Sequence, residues 1–369
     1  MRTIAVAALA LAAFAGAWPA RAAPARRPET RAALRTAQQP ALLYVCVQDD
    51  ATVAVVDMGT RAIVRTIDLT KLGFPATAKP HYIVVEPDRS HWYVSLIGAN
   101  RVLKFDAQDR VVGQFEMETP GMLALAGATQ LLVSRSMSAV NPPKRIAILD
   151  RRTMTGDEVE VLFPRPHPMA IARGFAYTGS LGENRIASIG LEDQRVQIID
   201  VAGPTHSLVQ FAVSRDERTL VATAEISGQV LVFDLAEPAK PKLTKTVSIG
   251  KMAFDPTFTP DGRFVYVPVK STNEIVVLET AGWTEVRRIK DAAFQQPHQV
   301  VFSADGSTAF VTNNNKMDHM ADPAHAGHTM PGAPPGGAAS LAIIDVASGR
   351  VATAIALGKN LTGMGSAVR

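Results

Sequence analysis

Beyond residue 40 the chain alternates short apolar runs with polar turns. Runs such as LLYVCV, WYVSLI, VLVFD, FVYVPV and LAIIDV are rich in β-branched and aromatic residues and stop at Asp, Asn or Gly. They predict strands; they are too short, and too regularly divided by turns, for helices. The pattern also repeats. PHYIVVEPDRSHWYVSLIGANRVLKFD from Pro80, LVQFAVSRDERTLVATAEISGQVLVFD from Leu208, FDPTFTPDGRFVYVPVKSTNEIVVLE from Phe254 and PHQVVFSADGSTAFVTNN from Pro297 can be laid on one another. Each holds an apolar strand, a turn built on Asp, a second strand, a short turn with Asn or Gly, and a third strand. A fourth, more polar strand follows, as in VRRIK and RVATAIAL. Asp-Gly between β-rich runs is the expected signal of a tight strand connection.

Two further copies, from Pro120 and Arg165, are degenerate but recognisable. The first copy begins at its second strand, Leu42, and its missing first strand reappears as LTGMGSAVR from Leu361. Six copies plus one divided between the termini predict an all-β fold. It is a seven-bladed β-propeller of four-stranded antiparallel blades over 41–369, the first blade completed by the C-terminal strand. Closing the ring in this way protects sheet edges. SADGSTAFVTNN, TPDGRFVYVPVKSTNEIVVLE and LAIIDVASGRVATAIALG resemble the YVTN-type propeller repeat, across nearly the whole chain after the leader. That resemblance implies the fold. It leaves function open, because such propellers include binding modules, enzymes and cofactor carriers.

Ahead of the repeats, MRTIAVAALALAAFAGAWPARAAP has a positive start, a short apolar run and an Ala-Arg-Ala pattern. It reads as a signal peptide over 1–22, followed by a flexible leader over 23–40. The competing reading, a membrane anchor, needs about 20 apolar residues. The protein is therefore expected in the periplasm or secreted, with no membrane span after cleavage. Cys46 is the only cysteine, so no disulfide is available and the core must hold the fold. Hydrophobic residues make up 47% of the 369. The formal charge of +4 comes without a Lys/Arg-rich run beyond residue 35, which argues against nucleic-acid partners.

The innermost strands of a propeller start at one mouth of its channel, where the second strands end. His81, His167 and His298 share the starting slot, each directly after Pro. Gly121, Val209, Phe254 and, approximately, Gly363 occupy it in the other copies, and His206 lies about three residues ahead of it. Eight His in the chain would rarely fill three of seven equivalent slots by chance. These imidazoles either converge on a metal, cofactor or proton-transfer site, or pack at the wall against a carbonyl or water. The second strands are expected to end at the same mouth with Gln48, Ser95, Arg135, Ser180, Glu225, Lys270 and Asn313. Arg135 and Lys270 could attract an anion and Glu225 could serve as ligand or base; otherwise they are solvated rim residues.

The last blade carries a His/Met-rich insertion over 314–339 at that mouth. Its donors include Met317, His319, Met320, His325, His328 and Met330. Loops longer than about 12–15 residues are uncommon without a function or disorder. Thioether with imidazole suits copper, for Met favours Cu(I) and His accepts Cu(II), Zn and Ni. The alternative is a low-complexity loop with incidental affinity. His residues around a seven-bladed hub are similar to nitrous-oxide reductase, whose hub carries copper, and to the propellers that bind d1-type haem. Neither a Cys-x-x-Cys-His haem site nor a cupredoxin-like domain is present. Copper thus ranks ahead of d1-type haem as the expected cofactor, in metal handling or metallocofactor maturation, with a periplasmic protein as a conceivable partner. The other readings are a metal-dependent enzyme of the lactonase, lyase or oxidase kind, and a metal-free recognition scaffold.

Overall fold

Each repeat copy folds as one four-stranded antiparallel sheet, and seven such sheets are present. The computed structural model describes residues 40–136, 143–315 and 338–367. The signal peptide and nearly all of the leader read from the sequence lie outside the described residues. So do Met317, His319, Met320, His325, His328 and Met330. The innermost strands are Leu361–Ser366, Pro80–Val85, Pro120–Ala126, Pro166–Ala172, Leu208–Val213, Thr257–Phe258 and Pro297–Phe302. Each packs on its neighbours, and Pro297–Phe302 returns to Leu361–Ser366, which closes the ring. The C-terminal strand completes the first blade: Leu43 opposes Ser366 and Val45 opposes Met364.

The apolar core lies between blades. Tyr44, Cys46 and Val53 of the first blade pack on Ile83, Trp92 and Phe105 of the second. Trp92 and Phe105 stack with centroids 4.0 Å apart. Phe310, Leu341 and Ile343 of the last blade pack on Leu43, Val45 and Leu361 of the first. Middle strands are therefore covered on both faces, which is why LLYVCV and FVYVPV run apolar without alternation. Fourth strands face water; Thr284–Lys290 is exposed except at Glu285's far neighbour Ile289. Burying one Val, Leu, Ile or Phe fully stabilises by about 1.5–3 kcal/mol.

Hydroxyls near the ends of second strands tie one blade to the next. Ser95 Oγ donates to the Gly121 carbonyl (2.7 Å), Ser134 Oγ to His167 (2.6 Å) and Thr312 Oγ1 to Thr362 (2.9 Å). Asparagines do the same from the turns between second and third strands. Asn100, Asn184 and Asn273 accept the backbone N–H of Thr119, His206 and Gln296 at 2.9, 2.9 and 2.7 Å.

Two backbone features recur in all seven blades. The residue ahead of each inner strand, or in the sixth blade ahead of the Ala253 bridge, is left-handed: Lys79, Thr119, Arg165, Ser207, Met252, Gln296 and Asn360 have φ between 41° and 58°. None is glycine, so each conformation costs about 1–2 kcal/mol that the surrounding clamps must offset. Next, the pairing with the second strand slips by one residue. In the sixth blade the Ala253–Val269 bridge and the Thr257–Tyr266 pair show the same slip. These bulges bracket His81, Gly121, His167, Val209, Phe254 and His298, and Thr362 beside the expected Gly363.

Candidate metal centre at the histidine-bearing mouth

A bulge leaves one residue outside the ladder and re-aims its side chain. Here it turns His81 and His167 toward each other, with ring centroids 6.1 Å apart at 47°. Gly121 stands in the same slot of the blade between them and brings no side chain. A Cβ on Gly121 would lie 2.5 Å from the Arg135 carbonyl oxygen, so glycine permits the close approach of these two strands. That carbonyl accepts from His167 Nδ1 at 2.9 Å. The Gln48 amide oxygen stands 3.3 Å from His81 Nδ1.

Both partners are acceptors, so both rings carry their proton on Nδ1 and leave Nε2 with a lone pair. His81 Nε2 is buried and has no hydrogen-bond partner. Burial pushes His81 down to about 3, helped by the charges of His167 and Lys270. Burial pushes His167 down to about 4, against the opposing hydrogen bond to Arg135. Both rings are neutral at physiological pH. A neutral imidazole whose Nδ1–H is held by an oxygen is the arrangement that metal-ligating histidines adopt. Two Nε2 atoms each about 2.0–2.1 Å from one ion would put ring centroids roughly 5–6 Å apart, close to the separation seen here.

The expected trio does not converge. His298 packs on Phe254, centroids 5.1 Å apart, and among the described residues no three His, Cys, Asp or Glu form a metal cluster. Lys270 Nζ lies 3.4 Å from the Phe254 ring centroid. Burial pushes this amine down to about 7, while Glu225 pulls it back up. The mouth thus holds a neutral imidazole pair beside a titratable amine and the Phe254–His298 pair.

Two residues expected at the site are spent elsewhere. The Arg135 guanidinium turns into its own blade, donating to the Glu118 and Arg145 carbonyls and pairing with Glu158. Its contribution to the mouth is its backbone carbonyl. His206 uses both ring nitrogens, Nδ1 with Ser227 Oγ at 3.0 Å and Nε2 with the Ala202 carbonyl at 3.1 Å. The second-strand ends also differ by one residue in four blades. Val47, Leu96, Ala224 and Val269 pair with the strand starts, so Gln48, Glu225 and Lys270 lie one residue beyond and Ser95 one before. The residues on either side of the insertion are anchored by side-chain hydrogen bonds. Asn313 Nδ2 donates to the Ser340 carbonyl at 3.0 Å and Asn314 Nδ2 to Leu361 at 2.6 Å.

No protein-family model matches the chain, and no curated protein matches it. Solved structures do. A functionally unknown protein from Desulfotomaculum acetoxidans DSM 771 aligns with a TM-score of 0.69 and 13% identity, over 88% of this chain and 98% of that one. Dihydro-haem d1 dehydrogenase NirN, in complex with DHE, aligns with a TM-score of 0.58 and 14% identity, over 88% of this chain and 74% of the other. At these identities the likeness is one of fold. Among the described residues no helix is long and apolar enough to cross a membrane.

Proposed function

We propose that this propeller is an exported, YVTN-type protein that binds a metal ion or metal-centred cofactor at the His81–His167 mouth, in metal handling or cofactor maturation. One observation carries the reading: His81 Nε2 is buried without a partner while its Nδ1 is held by Gln48. A buried polar atom left unmatched is costly, and a metal would satisfy it. Copper is supported by the neutral imidazole pair and by the Met and His donors of the sequence between 316 and 337. A haem-type group is supported by the NirN neighbour, and Lys270 would offer positive charge to an anionic ring substituent. The bound metal would supply Lewis acidity or electron transfer. The chain's own part is to keep two imidazoles neutral, fix their tautomers and hold water back with Phe254.

Anaerobic Cu(I) titration against a chromophoric competitor, and titration with ferric haem followed by absorption, test this reading. One equivalent of either ligand, lost in His81→Ala/His167→Ala, is expected. Unchanged binding of both ligands in the double variant would overturn it.

A further inference from the structure

The opposite half of the channel holds a cavity of about 740 Å³ that the histidine mouth does not use. Its size lies within the range of small-molecule sites. It opens where the sixth blade is weakest. Asp255-Pro256 interrupts the inner strand there, because Pro256 has no N–H for the ladder, and only Thr257–Phe258 pair as strand. Tyr82, Phe211, Phe258 and Phe302 contribute aromatic wall, and Asp255 is the acidic residue on its inner side.

Asp255 is 5% exposed, and its Oδ2 is buried with no hydrogen-bond partner. Burial alone moves its proton affinity, and moves it well upward; among the described residues no lysine or arginine pairs with it. The one cation lining the cavity, Arg215, is exposed at the rim and directs Nη1 to the Pro260 carbonyl at 3.4 Å. Glu217, also at the rim, accepts the Arg173 N–H at 2.7 Å. A carboxyl held in an aromatic cavity without a counter-charge is costly to keep there for packing alone. A cation entering the cavity favours the ionised carboxylate, which gives up its proton to solvent, and the aromatic faces add to that attraction.

We propose that this cavity is a second binding site, for a small organic ammonium ion, with Asp255 as the counter-charge and the aromatic rings as the wall. The site is separate from the metal-binding reading and does not depend on it. In the copies of the repeat, the position after the slot holds Tyr82, Met122, Pro168, Gln210, Asp255, Gln299 and Gly363, so the acid occurs once around the ring.

Calorimetric titration of the full chain with benzylammonium and tetramethylammonium, and with uncharged benzyl alcohol, tests the proposal. At least one ammonium ion should bind at one equivalent, at least tenfold more tightly than the alcohol. Asp255→Asn keeps the shape and removes the charge, and should weaken ammonium binding at least tenfold with an unchanged circular dichroism spectrum. Ala212→Phe fills the cavity from another strand without altering the carboxyl and should abolish binding. His81→Ala/His167→Ala should bind the ammonium ion as the wild type does. The proposal fails if neither ion binds the wild type at millimolar concentration, or if Asp255→Asn binds within threefold of it. It also fails if the alcohol binds as tightly, or if the double histidine variant loses binding.

Discussion

Acid should weaken this fold through its two channel histidines, and the size of the effect follows from their surroundings. An ordinary histidine with pKa about 6.5 in the unfolded chain gains about 0.7 of a proton between pH 7 and pH 5. His81, held down to about 3, and His167, held down to about 4, gain almost none while folded. The unfolded state then binds more protons, so stability falls as pH drops below 6.5 and keeps falling toward the folded values. For His167, which is 3% exposed, the loss from pH 7 to pH 5 is about 2 kcal/mol. His81 keeps part of its surface open although its Nε2 is covered, so solvent trims its share, and the pair together costs about 3–4 kcal/mol. Guanidinium unfolding curves at pH 7 and pH 5 measure this. His81→Asn/His167→Asn keeps a donor toward Gln48 and Arg135 but cannot titrate. Its loss over the same interval should be smaller by that amount. Equal losses in wild type and variant would show that the two rings are not shielded as described.

Gly121→Ala should destabilise by about 1–3 kcal/mol, because the new Cβ would press 2.5 Å from the Arg135 carbonyl that holds His167. Metal or haem affinity should fall with it, as titration of the purified variant would show. Ending the chain before Leu361 removes the inner strand of the first blade and uncovers Val45, Phe310 and Leu341. No folded monomer is expected by size-exclusion chromatography and circular dichroism. Lys270→Gln should weaken ferric haem binding several-fold and leave Cu(I) binding within twofold, since under the proposed function the amine would face an anionic haem substituent without ligating the metal. Equal effects on both ligands would remove Lys270 from that role.

Much of the architecture was legible in the sequence because it repeats. The alternation of apolar runs and Asp or Asn turns marked the blades, and the half copy at Leu42 with its complement at Leu361 marked the closure. The Pro-His pairs marked the channel mouth. What the sequence did not carry is the one-residue slip at each inner strand, which depends on a left-handed backbone at residues as different as Lys79 and Met252. That slip decides where the slot residues point; Gly121 then leaves room between His81 and His167, while His298 meets the Phe254 ring. Arg135 read as an anion receptor because its partner Glu158 lies on the outermost strand of the blade, 23 residues away. His206 read as a ligand because the Ser227 hydroxyl and Ala202 carbonyl that saturate it come from separate turns. Asp255 was passed over. Its signal was present as the single acid in a column of neutral residues, but its isolation in the channel is a tertiary fact.

The most direct test of the metal-binding account is the metal content and absorption spectrum of the full chain purified from its native compartment. Wild type should be compared with His81→Ala/His167→Ala and with a deletion of residues 316–339. The account expects about one equivalent of metal or of a metal-bearing chromophore in the wild type, absent from the double histidine variant. Metal that stays in that variant, or a wild type that remains empty after loading with copper and with haem, would contradict it.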